Sequence, residues 1–138
     1  MSPPNMLHWT DRLCVGVPDL DEQHRALIKQ VGEIQAAMSG GRGRRVLEGM
    51  LRNLLEATRD HFLIEETRLA QTGYPELAAH RAQHDGLLRR LEELHDRFLS
   101  TRFQLTVALV TMLGDWFETH ILTHDLKYAP HLTGHSNP

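Results

Sequence analysis

The chain of 138 residues contains one cysteine, Cys14, and so has no internal disulfide bond. A single cysteine is typical of proteins from a reducing compartment. The first residues lack the charged and apolar regions of a secretory signal. The longest nearly apolar run, residues 105–113, is far shorter than the roughly 18 residues needed to span a bilayer. We therefore expect a cytoplasmic protein that does not enter a membrane.

A large excess of charge is also absent. The formal net charge is -3 at pH 7, and the only basic cluster is short, at Arg42, Arg44 and Arg45. Because nucleic acids and anionic membranes attract strongly basic surfaces, neither is expected as a partner. A chain of this length fits one domain that buries roughly two-thirds of the surface of the unfolded chain.

Helical apolar periodicity dominates the rest of the chain. Residues 1–18 carry three prolines and no sustained period, which predicts an extended N-terminal arm. Four stretches with a 3.6-residue period follow, near residues 19–38, 44–71, 75–98 and 105–129. Their short connections favour an all-α, antiparallel up-down-up-down four-helix bundle. We place the bundle at residues 19–132 and a C-terminal tail at 133–138.

Local signals suggest where these helices begin and end. Asp19 is predicted to cap the first helix, with Glu22 completing a capping box. Pro75 suits the first position of the third helix. The fourth helix is expected to end before Pro130, since proline cannot donate the backbone hydrogen bond that continues a helix.

Residues suited to metal binding recur on the apolar stripes. Five of the ten histidines and two carboxylates fall into four clusters: His24; His61 with Glu65; His80 with His84; and His120 with Asp125. Residues four apart lie on one side of a helix, so the second and third clusters can each present two donor atoms to one point. Imidazoles and carboxylates are transition-metal ligands. The clusters therefore predict a site for two metal ions inside the bundle.

The spacing of the last cluster does not suit a regular helix. His120 and Asp125 are five residues apart and would diverge by roughly 140° at 3.6 residues per turn. We therefore predict a π-type bulge or a loosened turn between them, because such bulges are frequent at functional sites.

Each cluster taken alone has a simpler interpretation. A lone histidine on an apolar stripe, such as His24, more often forms a hydrogen bond in the core, and Glu65 can pair with Arg68. Taken together, however, seven buried polar side chains without a metal would leave many groups unpaired. His124, beside Asp125, is expected on the surface and not as a ligand. Surface positions are also expected for the remaining histidines: His8, His95, His131 and His135.

A longer ordered pattern surrounds these positions. It consists of Trp9, Val15-Gly16-Val17, Asp21-Glu22-Gln23-His24, His61-Phe62-Leu63-Ile64-Glu65-Glu66, Tyr74-Pro75, His80-Arg81-Ala82-Gln83-His84, Asp115-Trp116, His120-Ile121-Leu122-Thr123-His124-Asp125 and Tyr128-Ala129-Pro130. The pattern resembles the hemerythrin family, in the single-domain form called bacteriohemerythrin. It covers about residues 9 to 132, with all seven ligand positions filled.

The resemblance implies a non-haem di-iron centre with an oxo or hydroxo bridge. The implied ligands are His80, His84 and His120 for one iron, His24 and His61 for the other, and Glu65 and Asp125 as bridges between them. The second iron would keep an open position, where dioxygen binds in this family; an open position marks a reactive metal site. The implied function is reversible dioxygen binding by an oxygen carrier, storage or delivery protein.

The donor set agrees with a carrier. Ferritin-type di-iron bundles use about four carboxylates and two histidines, whereas two carboxylates and five neutral imidazoles place less negative charge on the metals. Less charge disfavours the high oxidation states needed to attack a substrate. A dry pocket would further protect the oxygenated form. Helical offsets from the ligands nominate Leu27, Phe62, Trp116 and Ile121 as its lining, a role compatible with ordinary core packing.

Two other classes of function remain open. One is an enzyme on the same bundle, a di-iron oxidase, peroxidase or nitric-oxide-handling protein; Glu66 and Tyr128 are the candidate proton donors. The other is a module that senses oxygen, redox state or nitric oxide through a separate protein partner. We expect a monomeric, non-enzymatic protein whose ligand is dioxygen.

Overall fold

The computed structural model describes residues 7–100 and 105–134. Within these ranges it contains helices and no strands. The elements are a 3₁₀ turn at Asp11–Leu13, α1 at Pro18–Ser39, α2 at Arg44–Gln71, α3 at Leu77–Leu99, α4 at Val107–His120, a π-helical turn at Ile121–Asp125 and α5 at Leu126–Gly134. The predicted all-α four-helix bundle is confirmed. Parts of the predicted arm and tail, residues 1–6 and 135–138, lie outside the described residues, as does His135.

The start of α1 differs from the prediction. Pro18 occupies the first helical turn, and Val17 is the N-cap residue without a side-chain cap. Proline is favoured there because its fixed φ is already helical and the first N–H groups lack partners. Asp19 instead pairs with Arg68 of α2. Asp21 accepts hydrogen bonds from the backbone N–H of Val15 at 2.7 Å and of Gly16 at 3.2 Å. The predicted capping box is therefore wrong.

Tight turns reverse the chain after α1 and α2. Gly41 and Gly73 have φ angles of 71° and 69°, a region that residues with a side chain rarely adopt. Pro75 lies in the turn before α3 and not at its first position, since α3 begins at Leu77. Thr106 caps α4, where its side chain accepts from the N–H of Leu109 at 3.1 Å.

The predicted π-type bulge is confirmed. Between α4 and α5 the N–H of Leu126 donates to the carbonyl of Ile121, five residues earlier. The helical path then continues through Pro130 to Gly134, so the predicted end before Pro130 is wrong. The lost backbone hydrogen bond is offset by packing, because Tyr128 is 0% exposed and Leu132 is 5% exposed.

Two apolar clusters fill the bundle. The larger one contains Leu27 of α1, Leu91 of α3 and Ile121 of the π-helical turn. Leu13 of the arm also belongs to it, and Trp9 of the arm packs against it. The smaller one is formed by Val15, Leu20, Leu69, Tyr74, Tyr128 and Leu132. Along α1, Leu20 belongs to the smaller cluster and Leu27 to the larger one, and His24 lies between them in the chain. None of the described helices is long and apolar enough to cross a membrane.

Candidate metal centre

The seven predicted ligands come together in the interior of the bundle. Every one is buried, with at most 4% of its surface exposed. Their donor atoms form two groups, each within 4.8 Å: Glu65, His80, His84, His120 and Asp125 in one, and His24, His61, Glu65 and Asp125 in the other. The two carboxylates belong to both groups, which is the arrangement that bridging ligands require.

Glu65 presents one oxygen to each group. Its Oε1 lies 2.7 Å from His80 Nε2 and 3.0 Å from His84 Nε2. Its Oε2 lies 3.1 Å from His24 Nε2 and 3.2 Å from His61 Nε2. The carboxylate of Glu65 therefore separates two histidines of α3 from one histidine each of α1 and α2.

Asp125, at the end of the π-helical turn, divides the histidines in the same way. Its Oδ1 lies 3.0 Å from His120 Nε2 and 3.2 Å from His80 Nε2, whereas its Oδ2 lies 3.0 Å from His24 Nε2. Taken together, Oε1 of Glu65 and Oδ1 of Asp125 face three histidines, His80, His84 and His120, whereas the other two oxygens face two, His24 and His61. The wider π-helical turn returns Asp125 to the side of the helix that carries His120.

The donor atoms are suited to cations. Nε2 of His61, His84 and His120 and both oxygens of Asp125 are buried without a hydrogen bond of acceptable geometry among the described residues. Buried polar atoms without partners are costly. Two cations between these nitrogens and oxygens would satisfy them, and the mixture of imidazole and carboxylate suits iron and similar transition metals.

In the absence of a metal, the buried imidazoles and carboxylates of this cluster shift one another's pKa values. Burial lowers the pKa of His24 and of His80, but the close carboxylates of Asp125 and Glu65 outweigh burial and raise each pKa to about 9. Burial raises the pKa of Glu65, yet the surrounding imidazoles bring it well below its usual value. The pKa of Asp125 is also lowered, with His120 and His24 overcoming burial and the Glu65 charge. Burial lowers the pKa of His61.

Three side chains around the ligands make contacts that were not predicted from sequence; two of them, Glu66 and Tyr128, were named there only as candidate proton donors. Nδ1–H of His61 donates to Oε1 of Gln23 at 2.6 Å, and Nδ1–H of His84 donates to Oε2 of Glu66 at 2.7 Å. The hydroxyl of Tyr128 donates to Oε2 of Glu65 at 2.8 Å.

A general rule could have found two of these side chains. A histidine that binds metal through one nitrogen donates its other N–H to an acceptor. Gln23 and Glu66 adjoin ligands in the chain, but each serves a histidine on a neighbouring helix. The contact of Tyr128 with Glu65 had no such rule to predict it, because Tyr128 follows the helical distortion and lies 63 residues away from Glu65 in the chain.

The nominated pocket residues surround the centre on different sides. Leu27 and His61 line an open groove of about 250 Å³ between α1 and α2. The Phe62 ring stacks on His84, with centroids 3.7 Å apart and an interplanar angle of 1°. Ile121 is buried in the larger apolar cluster. Trp116 is half-buried and lines a groove of about 190 Å³ beside His120, on the three-histidine side.

The other histidines stay outside both ligand groups. His124 is half-buried and not on the surface as predicted, and its ring centroid lies 5.4 Å from that of His120. His95 and His131 are half-buried, contrary to the predicted surface positions: His95 Nε2 lies 2.8 Å from Glu48 Oε2, and His131 Nε2 lies 3.1 Å from Thr72 Oγ1. His8 is exposed, as predicted.

The bundle and its two carboxylate-linked ligand groups define a helical protein with a buried cluster that could hold metal ions. The family model for the hemerythrin HHE cation binding domain matches residues 15–132. The chain belongs to the hemerythrin family. This family is known for dioxygen binding at a di-iron centre.

Relatives and solved structures agree with this assignment. The chain is 31% identical to a bacteriohemerythrin of Stenotrophomonas maltophilia (strain R551-3), over 96% of this chain and 85% of the relative. It is 28% identical to myohemerythrin-1 of Phascolopsis gouldii, over 91% of this chain and 93% of the relative. A crystal structure of wild-type hemerythrin superimposes with a TM-score of 0.86 at 27% identity, covering 93% of this chain and 98% of that chain.

Proposed function

We propose that this protein binds dioxygen reversibly at a non-haem di-iron centre, as an oxygen carrier, storage or delivery protein and not as an enzyme. His80, His84 and His120 would hold one iron, and His24 and His61 the other. Glu65 and Asp125 would bridge them. When bound, the irons supply the redox chemistry of dioxygen binding.

The observation that carries the proposal is the unequal division of histidines between the carboxylate oxygens. Oε1 of Glu65 and Oδ1 of Asp125 together face three imidazoles, so one metal would have five protein donors. The opposite oxygens face only His24 and His61, so the other metal would have four. The second metal would therefore have room for an external ligand, as a reactive metal site requires.

The surroundings of the open position support binding without further chemistry. Leu27 and Phe62 are 3% and 2% exposed, and Ile121 is 2% exposed. We propose that Leu27, Phe62 and Ile121 exclude water from the bound ligand, and that Trp116 covers the three-histidine side of the centre. The candidate proton donors are already engaged, since Tyr128 donates to Glu65 and Glu66 accepts from His84.

The proposal is tested by anaerobic reconstitution of the metal-free protein with ferrous iron. We expect two irons per chain and a visible charge-transfer band that appears in air and disappears on removal of oxygen. The metal-free protein serves as the control. Continuous oxygen consumption in the presence of a reductant, or a band that never reverses, would contradict a carrier.

A further inference from the structure

On each side of the proposed centre, one ligand histidine donates a hydrogen bond to a side chain outside the ligand set, and these two acceptors differ in charge. On the two-histidine side, the neutral amide of Gln23 accepts from His61 at 2.6 Å. On the three-histidine side, the carboxylate of Glu66 accepts from His84 at 2.7 Å. In both pairs the acceptor contacts Nδ1, which leaves Nε2 directed at Glu65.

We infer that Gln23 and Glu66 are positioning residues that make the two metal positions unequal, with Glu66 strengthening cation binding at the three-histidine position. This inference rests on the proposed di-metal centre. The two positions already differ in their number of histidines. The inference concerns a second difference, which is how strongly one histidine on each side would bind its metal through Nε2.

The physical basis is the charge behind the imidazole ring. An acceptor on Nδ1–H fixes the tautomer in which the Nε2 lone pair is available to a metal, and a carboxylate acceptor also makes the ring more basic. A hydrogen bond to an ionised acceptor is stronger than one to an amide. Glu66 thus supplies both orientation and charge to His84, whereas Gln23 supplies orientation to His61.

The environment preserves this difference. Arg81 lies near Glu66, with Nε 3.4 Å from Oε1, but its side chain is 52% exposed, so water screens its charge. The hydrogen bond from His84 uses the other oxygen, Oε2. The stacked ring of Phe62 holds the plane of His84, which limits rotation away from Glu66.

A reciprocal exchange of charge tests the inference. The variants are Glu66→Gln and Gln23→Glu, each of which keeps the side-chain length and an acceptor oxygen. The matched control is Glu48→Gln, because Glu48 accepts from His95 at 2.8 Å between α2 and α3, outside the metal centre. Each metal-free protein is titrated anaerobically with cobalt(II), whose visible absorption reports occupancy of each position.

We expect two binding steps of unequal affinity in the unmodified protein. Glu66→Gln should weaken the tighter step by about 10–100-fold, the usual effect of losing such a support. Gln23→Glu should strengthen the weaker step, and Glu48→Gln should change neither. Urea unfolding of the metal-free proteins accompanies each titration, so that a loss of stability is separated from a loss of affinity.

Three results would overturn the inference. Glu66→Gln and Glu48→Gln could have equal effects, or Gln23→Glu could leave the weaker step unchanged or weakened. Affinity could also fall only in parallel with the urea midpoint, which would mean a structural role. Two bound cobalt ions with no response to Glu66→Gln contradict this inference alone. Fewer than two bound ions contradict the di-metal centre as well.

Discussion

Asp125 lies five residues after His120, yet its Oδ1 is 3.0 Å from His120 Nε2. The π-helical turn Ile121–Asp125 makes this contact possible, since a regular helix would turn the two side chains roughly 140° apart. The turn accommodates one additional residue without rotating α5 away from the core. Tyr128 and Leu132 consequently remain buried beyond it.

This geometry predicts opposite outcomes for deletion and insertion in the turn. Deleting the exposed Thr123 should convert the turn to regular helix and leave the His120 and Asp125 side chains four residues apart, on one face. Inserting one alanine after Thr123 should rotate Asp125 by a further ~100° and remove it from the centre. Iron stoichiometry and circular dichroism are the measurements. We expect two irons in the deletion variant and fewer in the insertion variant; the reverse order would refute this account.

Much of the site could be predicted because its constraints are local. Four-residue spacing on one helix face brought His61 to Glu65 and His80 to His84, and the misfit of the five-residue spacing indicated the π-helical turn. The ends of helices were less predictable. Asp19 has a capping residue's chemistry, but Arg68 of another helix competes for its carboxylate.

The supports of the ligand histidines depend on contacts between helices, and spacing within one helix could not assign them. Gln23 and Glu66 each adjoin a ligand in the chain and contact a different ligand in space. Pro130 is a similar case, because tertiary burial of Tyr128 and Leu132 overrides a local helix-ending signal.

Replacing His61 should remove one metal and leave the other. In His61→Ala the two-histidine position keeps only His24 and the shared carboxylates, so iron content should fall from two to about one per chain. Reversible oxygenation should be lost with it. Metal analysis and anaerobic spectra provide the measurement, with His8→Ala as the exposed control. Two retained irons would contradict the assignment of His61.

The metal-free protein should become less stable as the pH rises. The folded-state pKa values of His24 and His80, about 9, lie above the ordinary 6.5, so their contribution is fully present below about pH 6.5 and is lost as the pH rises through about 9. Glu65 and Asp125, whose pKa values are lowered, stay charged over this range.

Urea unfolding of chelator-treated protein at several pH values between these limits measures the effect. We expect a loss of unfolding free energy on the order of a few kcal/mol. Cobalt-loaded protein is the control, because its histidines are neutral ligands already and should not show this decline. A metal-free protein that gains stability toward pH 9 would contradict the raised pKa values of His24 and His80.

Removing the Tyr128 hydroxyl should destabilise the bundle while the fold remains. The hydroxyl donates to Oε2 of Glu65 in a fully buried position, and a hydrogen bond to a charged group contributes roughly 1.5–3 kcal/mol. Tyr128→Phe should lose about this amount in urea unfolding of the metal-free protein. Tyr74→Phe is the matched control, since the structure gives the Tyr74 hydroxyl no hydrogen bond among the described residues. Equal losses in both variants would argue against the Glu65 contact as the cause.

Making the wall near the open position polar should shorten the lifetime of the oxygenated protein. Leu27 is 3% exposed and lies at the base of the same groove as His61, so Leu27→Asn should draw water from the groove toward the bound ligand. The matched change at an exposed leucine of α2 is Leu63→Asn, where 66% of the residue is already in solvent.

Both variants are checked for helix content and for two bound irons before the oxygenated band is followed in air. We expect a several-fold faster decay in Leu27→Asn and no change in Leu63→Asn. Equal lifetimes in the two variants, with iron content intact, would remove Leu27 from the oxygen pocket, because a residue that excludes water from the ligand must affect its loss when it becomes polar.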